Sequence, residues 1–302
     1  MTRQDVDFVS AGTRCAGWFF PPTPESTFAN DAGDVPVVVM AHGFCGTKDS
    51  GLEPFAEQMA EAGLAVFAFD FRGFGESRGE PRQRVSMSGQ VEDYHAAITA
   101  AVAQPGVDSS AVVLWGVSLS GGHVLTVAAE RDDIAAVISM APLVSGLAAG
   151  VHHYPSVGAV AMARSTGRAV RSAVGTKLGG RPVLMPVVGP PGSRAALTSD
   201  GYLESYLAIA GPSWRNEVDA SIGLELGAYR ADRHADRIQA PVLMQICDVD
   251  RGAPPHAAAK AGFAARAEVR HYPCDHFDVF SGFDWFTPAV THQLQFLTRH
   301  LR

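Results

Sequence analysis

The feature that most constrains this sequence is the segment 111–123, which reads Ala-Val-Val-Leu-Trp-Gly-Val-Ser-Leu-Ser-Gly-Gly-His. Its first five residues form a short apolar run, the pattern of a strand buried on both faces. Small residues then surround Ser118, and a helix-like stretch runs from Val124 to Glu130. A strand, a tight turn centred on a serine and a helix together predict a nucleophile elbow, in which the Ser118 hydroxyl is held out in the open.

The elbow motif departs from its usual form at one position. It reads G-x-S-x-S-G-G, with Ser120 where the usual pattern has glycine. Gly116 and Ser120 are both small enough to let the strand and the helix approach closely. A Gly/Ser-rich turn without any chemistry produces the same short pattern, so the interpretation depends on partners elsewhere in the chain.

Those partners are an acid and a histidine, because a serine hydroxyl is a weak nucleophile at neutral pH unless an oriented histidine takes its proton. The elbow predicts both later in the chain, each after a strand. The run Val242–Ile246 precedes Asp248 and Asp250, and the run Ala267–Tyr272 precedes His276. We expect His276 to be the base. Asp250 is the preferred acid because its place in the turn faces the histidine loop, and Asp248 is the alternative.

Phe44 and Leu119 are the candidate oxyanion-hole residues. The backbone N–H of Leu119 opens the helix that follows Ser118, so it points at an oxyanion formed there. A second N–H is expected after the strand that ends at Ala41, where the chain reads His42-Gly43-Phe44. Gly43 lets the backbone bend so that the Phe44 N–H points inward. Phe44 as a pocket wall is the alternative, and the two roles are compatible.

The order of elements predicts one sheet with an insertion. Strands alternate with helices up to residue 143 and again from residue 239, as in a mostly parallel sheet with helices on both faces. Residues 144–238 lack long β-branched runs and carry amphipathic segments. We therefore predict a core of 1–143 and 239–302 and an inserted, mainly helical cap of 144–238. Five aromatic residues are candidates for the inner face of the cap: Tyr154, Tyr202, Tyr206, Trp214 and Tyr229.

The segment Asp70–Gly79 is rich in glycine but lacks the spacing of a nucleotide-binding loop. We interpret it as a structural turn in which Asp70 pairs with Arg72 and braces the floor of the site.

Composition excludes several classes of protein. With 302 residues, 47% hydrophobic and 18% charged, the chain has the make-up of a globular protein. A net charge of −7 without a basic run argues against a nucleic-acid or membrane partner. The N-terminus has no apolar signal core, and the four cysteines lack metal-site spacing, which indicates free thiols in a cytoplasmic protein. We expect no metal and no cofactor.

Taken together, these motifs resemble the α/β-hydrolase superfamily over residues 5–302. The resemblance rests on His42-Gly43-Phe44, Asp70-x-Arg72-Gly73-x-Gly75-x-Ser77, Gly116-x-Ser118-x-Ser120-Gly121-Gly122, the Asp250 turn and His276. The tail from His276 to Phe280 is similar to bacterial dienelactone-hydrolase-like and acyl-peptidase-like esterases. The resemblance implies an α/β fold with a sheet of about eight strands, a Ser-His-Asp mechanism and no cofactor.

The expected function is hydrolysis of a carboxylic ester or thioester of a small, partly hydrophobic substrate. Amide or C–C bond hydrolysis and acyl transfer use the same constellation and stay open as alternatives. Two hypotheses come from other classes: a catalytically silent protein that binds a small ligand under its cap, and a scaffold whose cap is an interaction surface. Nothing in the sequence decides whether the protein is a homodimer.

Overall fold

The computed structural model describes residues 3–23, 25–157 and 159–301, and the side chains of 154–161 are not described. Eight strands form one sheet, and β7 and β8 form a separate antiparallel pair. The strands are β1 Gln4–Ser10, β2 Thr13–Phe20, β3 Val35–Ala41, β4 Ala65–Phe69, β5 Val107–Val117, β6 Ile134–Met140, β7 Leu184–Met185, β8 Val218–Asp219, β9 Val242–Cys247 and β10 Glu268–Tyr272. The helices are α1 Glu53–Glu61, α2 Met87–Val102, α3 Leu119–Ala129, α4 Gly146–Val157, α5 Ala159–Lys177, α6 Tyr202–Ile209, α7 Ile222–Ala228, α8 Pro255–Ala264 and α9 Phe286–His300.

The large sheet has the strand order β1-β2-β4-β3-β5-β6-β9-β10. β1 and β2 are antiparallel to their neighbours. The other six strands of this sheet run parallel to one another: β4, β3, β5, β6, β9 and β10. Every residue of β3 and of β4 is buried, as expected for strands covered by helices on both faces. The predicted fold class, a mostly parallel sheet of an α/β-hydrolase, is confirmed.

This topology brings the candidate residues together. β5, β6, β9 and β10 are adjacent and parallel, so the segments that follow them emerge at the same edge of the sheet. Ser118 follows β5, Asp250 follows β9 and His276 follows β10. Ligands of open α/β sheets bind at the carboxyl ends of the strands, which is where these three residues lie.

Between β6 and β9 the chain leaves the sheet and forms α4 to α7, with α7 packed against both α4 and α5. The β7–β8 pair, in which Leu184 faces Asp219, was not predicted because two residues are too few to produce a strand pattern. Four of the candidate inner-face aromatics are buried: Tyr202, Tyr206 and Tyr229 fully and Trp214 partly. The side chain of Tyr154 lies outside the described residues.

The predicted pairing of Asp70 with Arg72 is wrong. Asp70 accepts a hydrogen bond from the ammonium group of Lys48 at 2.8 Å, and both side chains are fully buried. Arg72 instead pairs with Asp93 and Glu92 of α2. A buried ammonium needs a buried counter-charge, and Asp70 supplies it under the loop that follows β3.

Within the described ranges, no helix is both long enough and apolar enough to cross a membrane. The four cysteines are free and buried.

Candidate active site

Ser118 sits in a strained turn between β5 and α3. Its backbone adopts φ 57° and ψ −118°, a conformation that residues other than glycine rarely adopt. Hydrogen bonds on both sides hold it there: the Ser118 N–H donates to the carbonyl of Met140 at 2.9 Å, and the Leu143 N–H donates to the carbonyl of Ser118 at 2.9 Å. Strain of this kind persists only where the surrounding structure enforces it, and it is concentrated at functional sites.

Small residues around Ser118 are required by close backbone approach. A Cβ atom at Gly116 would collide with the carbonyl of Ser120, and one at Gly122 would collide with the carbonyl of Leu143. Ser120, the departure from the usual motif, donates its hydroxyl to the carbonyl of Ala41 at 2.7 Å and accepts from the N–H of Val117 at 2.9 Å. The hydroxyl therefore ties the elbow to the end of β3.

The structure brings Ser118, His276 and Asp250 into one hydrogen-bonded line. His276 Nε2 lies 3.0 Å from Ser118 Oγ, and His276 Nδ1 lies 2.7 Å from Asp250 Oδ2. The second oxygen of Asp250 accepts the N–H groups of Gly252 at 2.7 Å and Ala253 at 2.6 Å. Only 6% of His276 and 3% of Asp250 is exposed, so the pair is shielded from water while Ser118 is half-buried.

Asp248, the alternative acid, lies elsewhere. Its carboxylate contacts Nδ1 of His271 at 2.6 Å, and both side chains are exposed. The turn after β9 thus sends Asp248 to the surface and Asp250 to His276.

Electrostatics favour the charged form of His276. Burial alone lowers the pKa of this imidazole, but the attraction and the hydrogen bond of Asp250 outweigh burial, and Asp275 adds to them, so the pKa is raised above its usual value. An imidazolium formed at His276 would therefore be stabilised, as is required of a base that holds a proton during a reaction.

Asp275 is a positioning residue that the sequence analysis did not single out. Its carboxylate accepts the N–H of His276 at 2.8 Å, the hydroxyl of Tyr202 at 2.9 Å and the N–H and guanidinium of Arg251 at 2.9 and 2.6 Å. Burial would raise the pKa of Asp275, but these donors outweigh it and lower the pKa. The loop that carries His276 is thereby joined to the loop that carries Asp250 and to helix α6. Adjacency to His276 was the one sequence feature that could have indicated this role.

The two candidate oxyanion residues flank Ser118. Leu119 is the first residue of α3, so its N–H has no acceptor within the helix. Gly43 lies directly against the nucleophile, because a Cβ atom there would be 2.7 Å from Ser118 Cβ. Phe44 follows at once and is buried. His42 is not a competing base: its Nε2 lies 2.6 Å from the carbonyl of Ser50, and burial lowers its pKa to about 4.

A segment of the insertion between β6 and β9 holds the loop that contains Phe44. We call residues 206–214 the cap strap. The Tyr206 hydroxyl donates to the carbonyl of Phe44 at 2.8 Å, and the Trp214 indole donates to the carbonyl of Cys45 at 3.1 Å. The two rings stack with centroids 4.9 Å apart. The sequence indicated these aromatics as inner-face candidates, but their contacts with Phe44 and Cys45 follow only from the fold.

An apolar cleft of about 570 Å³ opens between α4, α5 and α7. Its walls include Leu147, Leu224 and Leu226, and His153 forms part of the lining. His153 Nε2 lies 3.3 Å from the carbonyl of Gly252, whose N–H binds Asp250. The cleft thus borders the acid loop. In the part of the chain that the structure describes, no three His, Cys, Asp or Glu side chains are grouped as metal ligands.

Comparisons with known proteins show the family of the chain. The family model for serine aminopeptidase, S33, matches residues 34–276. The quorum-quenching protein AidA of Acinetobacter baumannii (strain MDR-ZJ06) is 36% identical over 298 residues, or 98% of this chain and 94% of that protein. Polyketide transferase af380 of Aspergillus fumigatus is 31% identical over 71% of this chain and 68% of that protein. The crystal structure of the α/β hydrolase GrgF from Penicillium sp. sh18 has a TM-score of 0.81 at 24% identity, covering 100% of this chain and 99% of that one. The chain therefore belongs to the serine aminopeptidase S33 family of α/β hydrolases.

Proposed function

We propose that this protein is a serine acyl hydrolase that cleaves a carboxylic ester or thioester of a small, partly hydrophobic substrate. The observation that carries the proposal is the hydrogen-bonded line from Asp250 through His276 to the strained Ser118. A protein that only bound a ligand would have no use for a serine held at positive φ with a histidine aligned on its hydroxyl.

In the proposed reaction, His276 Nε2 takes the proton of Ser118 as Oγ bonds to the acyl carbon and the carbonyl electrons move to oxygen. Asp250 holds the tautomer with the proton on Nδ1 and stabilises the imidazolium. The N–H groups of Phe44 and Leu119 stabilise the oxyanion, each by about 3–4 kcal/mol. His276 then protonates the departing alcohol or thiol. Water attacks the acyl-enzyme by the reverse sequence and releases the acid.

The apolar cleft supports a partly hydrophobic acyl group, because it borders the acid loop and offers leucine side chains rather than charges. The similarity to a quorum-quenching protein supports a small-molecule substrate over a polymer. We further propose that the protein acts in the cytoplasm and that neither nucleic acid nor a membrane takes part in the reaction.

Acyl transfer is the second candidate, favoured by the similarity to a polyketide transferase over most of the chain. The two reactions share the acyl-enzyme and differ only in whether water or another nucleophile accepts the acyl group.

The test is the intact mass of the protein after incubation with an active-site phosphonate, for wild type and for Ser118→Ala. One adduct on the wild type that is absent from the variant is the expected result, and the lack of an adduct on folded wild type would contradict the proposal. Matched p-nitrophenyl esters and thioesters of increasing length then measure acyl preference. Turnover that rises with an added acceptor alcohol, with ester formed as product, would indicate transfer.

A further inference from the structure

The basic charge of this protein is unevenly distributed. Residues 134–199 contain no Asp or Glu and six basic residues, although the whole chain carries a net charge of −7. The six are Arg164, Arg168, Arg171, Lys177, Arg181 and Arg194. A local concentration of one sign of charge attracts ions of the opposite sign, whatever the net charge of the rest of the molecule.

Four of these arginines line one cleft in the cap, of about 610 Å³. Arg164, Arg168 and Arg171 are spaced at i, i+4 and i+7 on α5, which places them on one face of the helix. Arg194 comes from the loop between β7 and α6. The rest of the lining is Gly167, Gly192 and Ser193, so no carboxylate contributes to the cleft.

None of the four arginines forms an ion pair with Asp or Glu among the residues that the structure describes. The Nε atom of Arg168 is shielded from solvent and has no hydrogen-bond partner. Gathering like charges without a counter-charge raises the electrostatic energy, and an anion in the cleft would lower it. A shielded donor without an acceptor also indicates a missing partner.

Both walls of the cleft are anchored in the fold. On α5, Ala169 is buried and the Ser172 hydroxyl donates to Asp219 at 2.6 Å, which sets the rotation of the helix. The loop that carries Arg194 is closed by the Leu197 N–H bond to the carbonyl of Val187 at 2.9 Å. Asn216 holds the same loop through the N–H and carbonyl of Val188, each at 2.9 Å. Because both backbone segments are already fixed, less conformational entropy is lost when a ligand binds between them.

We propose that this arginine cleft binds a phosphate-bearing anion. Guanidinium groups pair with phosphate oxygens through two parallel hydrogen bonds, and several of them suit a group with more than one negative charge. A monocarboxylate would neutralise only one of four positive charges. The concave shape fits a small molecule such as a diphosphate or a phosphate ester, whereas an extended polyanion or a membrane needs a broad convex or flat basic surface.

Two sources supply this chemistry. One is a free phosphate compound that acts as an effector. The other, which rests on the proposed function, is an acyl thioester whose carrier bears phosphates, so that the cleft would contribute affinity for the carrier while Ser118 acts on the acyl group.

The first test is calorimetric titration of inorganic pyrophosphate and of coenzyme A into Ser118→Ala protein at low ionic strength. This background removes catalysis, so its outcome is independent of the proposed function. Adding Arg168→Gln and Arg171→Gln together should weaken binding by about tenfold or more. Lys177→Gln with Arg181→Gln removes the same charge outside the cleft and should change affinity by less than about twofold. Arg194→Gln, on the loop wall, should weaken binding without altering α5.

Absence of saturable binding, or equal losses in the two double variants, would overturn the proposal. So would arginine-dependent binding of anionic vesicles or oligonucleotides without binding of pyrophosphate, because that result would mean a surface for a macromolecule.

The two sources are separated by kinetics in protein that retains Ser118. Thioesters of coenzyme A and of N-acetylcysteamine with the same acyl group differ only in the phosphate-bearing carrier. A rise in KM for the coenzyme A thioester alone, in the Arg168 and Arg171 double variant, identifies a carrier site. Unchanged KM for both, with pyrophosphate affinity lost, identifies an effector site.

Discussion

At the scale of single residues, the structure distinguishes Asp250 from Asp248 as the carboxylate beside His276. We predict that Asp250→Asn lowers kcat for a p-nitrophenyl ester by about 10⁴-fold, because an amide cannot hold His276 in the tautomer that accepts the serine proton. Asp248→Asn is the matched control: the same chemical change, two residues away, on a carboxylate that contacts the exposed His271. Its kcat should stay within about twofold of wild type. Equal losses in the two variants would contradict the assignment of Asp250.

The raised pKa of His276 makes a separate prediction about pH. The imidazole must be neutral to accept the Ser118 proton, so kcat/KM should rise with pH through a pKa above the ordinary value near 6.5. Asp275→Asn keeps the hydrogen-bonding shape but removes a negative charge beside His276, so the acid limb of the profile should move to lower pH. The measurement is kcat/KM against pH for both proteins. A limb that stays in place, or moves to higher pH, would contradict the contribution of Asp275.

At the scale of elements, the cap strap links α6 to the loop that holds Phe44. Tyr206→Phe removes one hydroxyl and leaves the buried carbonyl of Phe44 without its donor. We predict a loss of about 1–3 kcal/mol in the free energy of unfolding. We also predict a fall of about tenfold in kcat, because the loop that carries the Phe44 N–H is held less firmly. Both are measured on the same protein, by urea unfolding and by ester turnover.

Tyr272→Phe provides the control at this scale. The Tyr272 hydroxyl lies between the last strand of the sheet, β10, and α9. It accepts the Gln245 amide at 2.7 Å and lies 2.8 Å from Nδ1 of His292. Removing this hydroxyl should lower the free energy of unfolding by an amount comparable to Tyr206→Phe, while kcat stays nearly unchanged. If both variants lose kcat in proportion to stability, the contact of the cap strap with the Phe44 loop has no specific effect on catalysis.

At the scale of the whole molecule, sequence patterns predicted those features that depend on residues close together in the chain. The elbow, the strands and the order Ser118, Asp250, His276 could be predicted because each depends on neighbours within a few residues and on the common edge of parallel strands. The partner of Asp70 could not, because Lys48 is 22 positions away and its burial is a property of the fold. The hydrogen bond from the Tyr206 hydroxyl to the carbonyl of Phe44 could not be predicted either, because it joins residues 162 positions apart. The arginine cleft likewise joins a helix to a loop beyond it.

The stability of the whole molecule should fall at acid pH, because two buried histidines, His42 and His123, are neutral in the folded state. Burial lowers the pKa of His42 to about 4 and that of His123 to about 3, whereas both bind a proton near pH 6.5 when unfolded. The unfolded state therefore takes up protons first, so the stability present above about pH 6.5 is lost as the pH falls toward these values. As the pH falls from about 6.5 to about 5, each histidine should lower the free energy of unfolding by about 2 kcal/mol.

The test isolates His123, which lies 2.9 Å from Gln90 and 3.1 Å from the Tyr229 hydroxyl. His123→Phe cannot take up a proton in either state. It removes the hydrogen-bond partner of Gln90, while the Tyr229 hydroxyl keeps the carbonyl of Leu119 at 3.4 Å. We expect it to be less stable than wild type near pH 7 by about 1–3 kcal/mol, yet to lose about 2 kcal/mol less on moving to about pH 5. Urea unfolding at the two pH values measures both the stability near pH 7 and its loss on moving to about pH 5. His256→Gln, an exposed histidine, should keep the wild-type pH dependence. A His123→Phe variant that lost as much stability as wild type would mean that His123 is protonated in the folded protein.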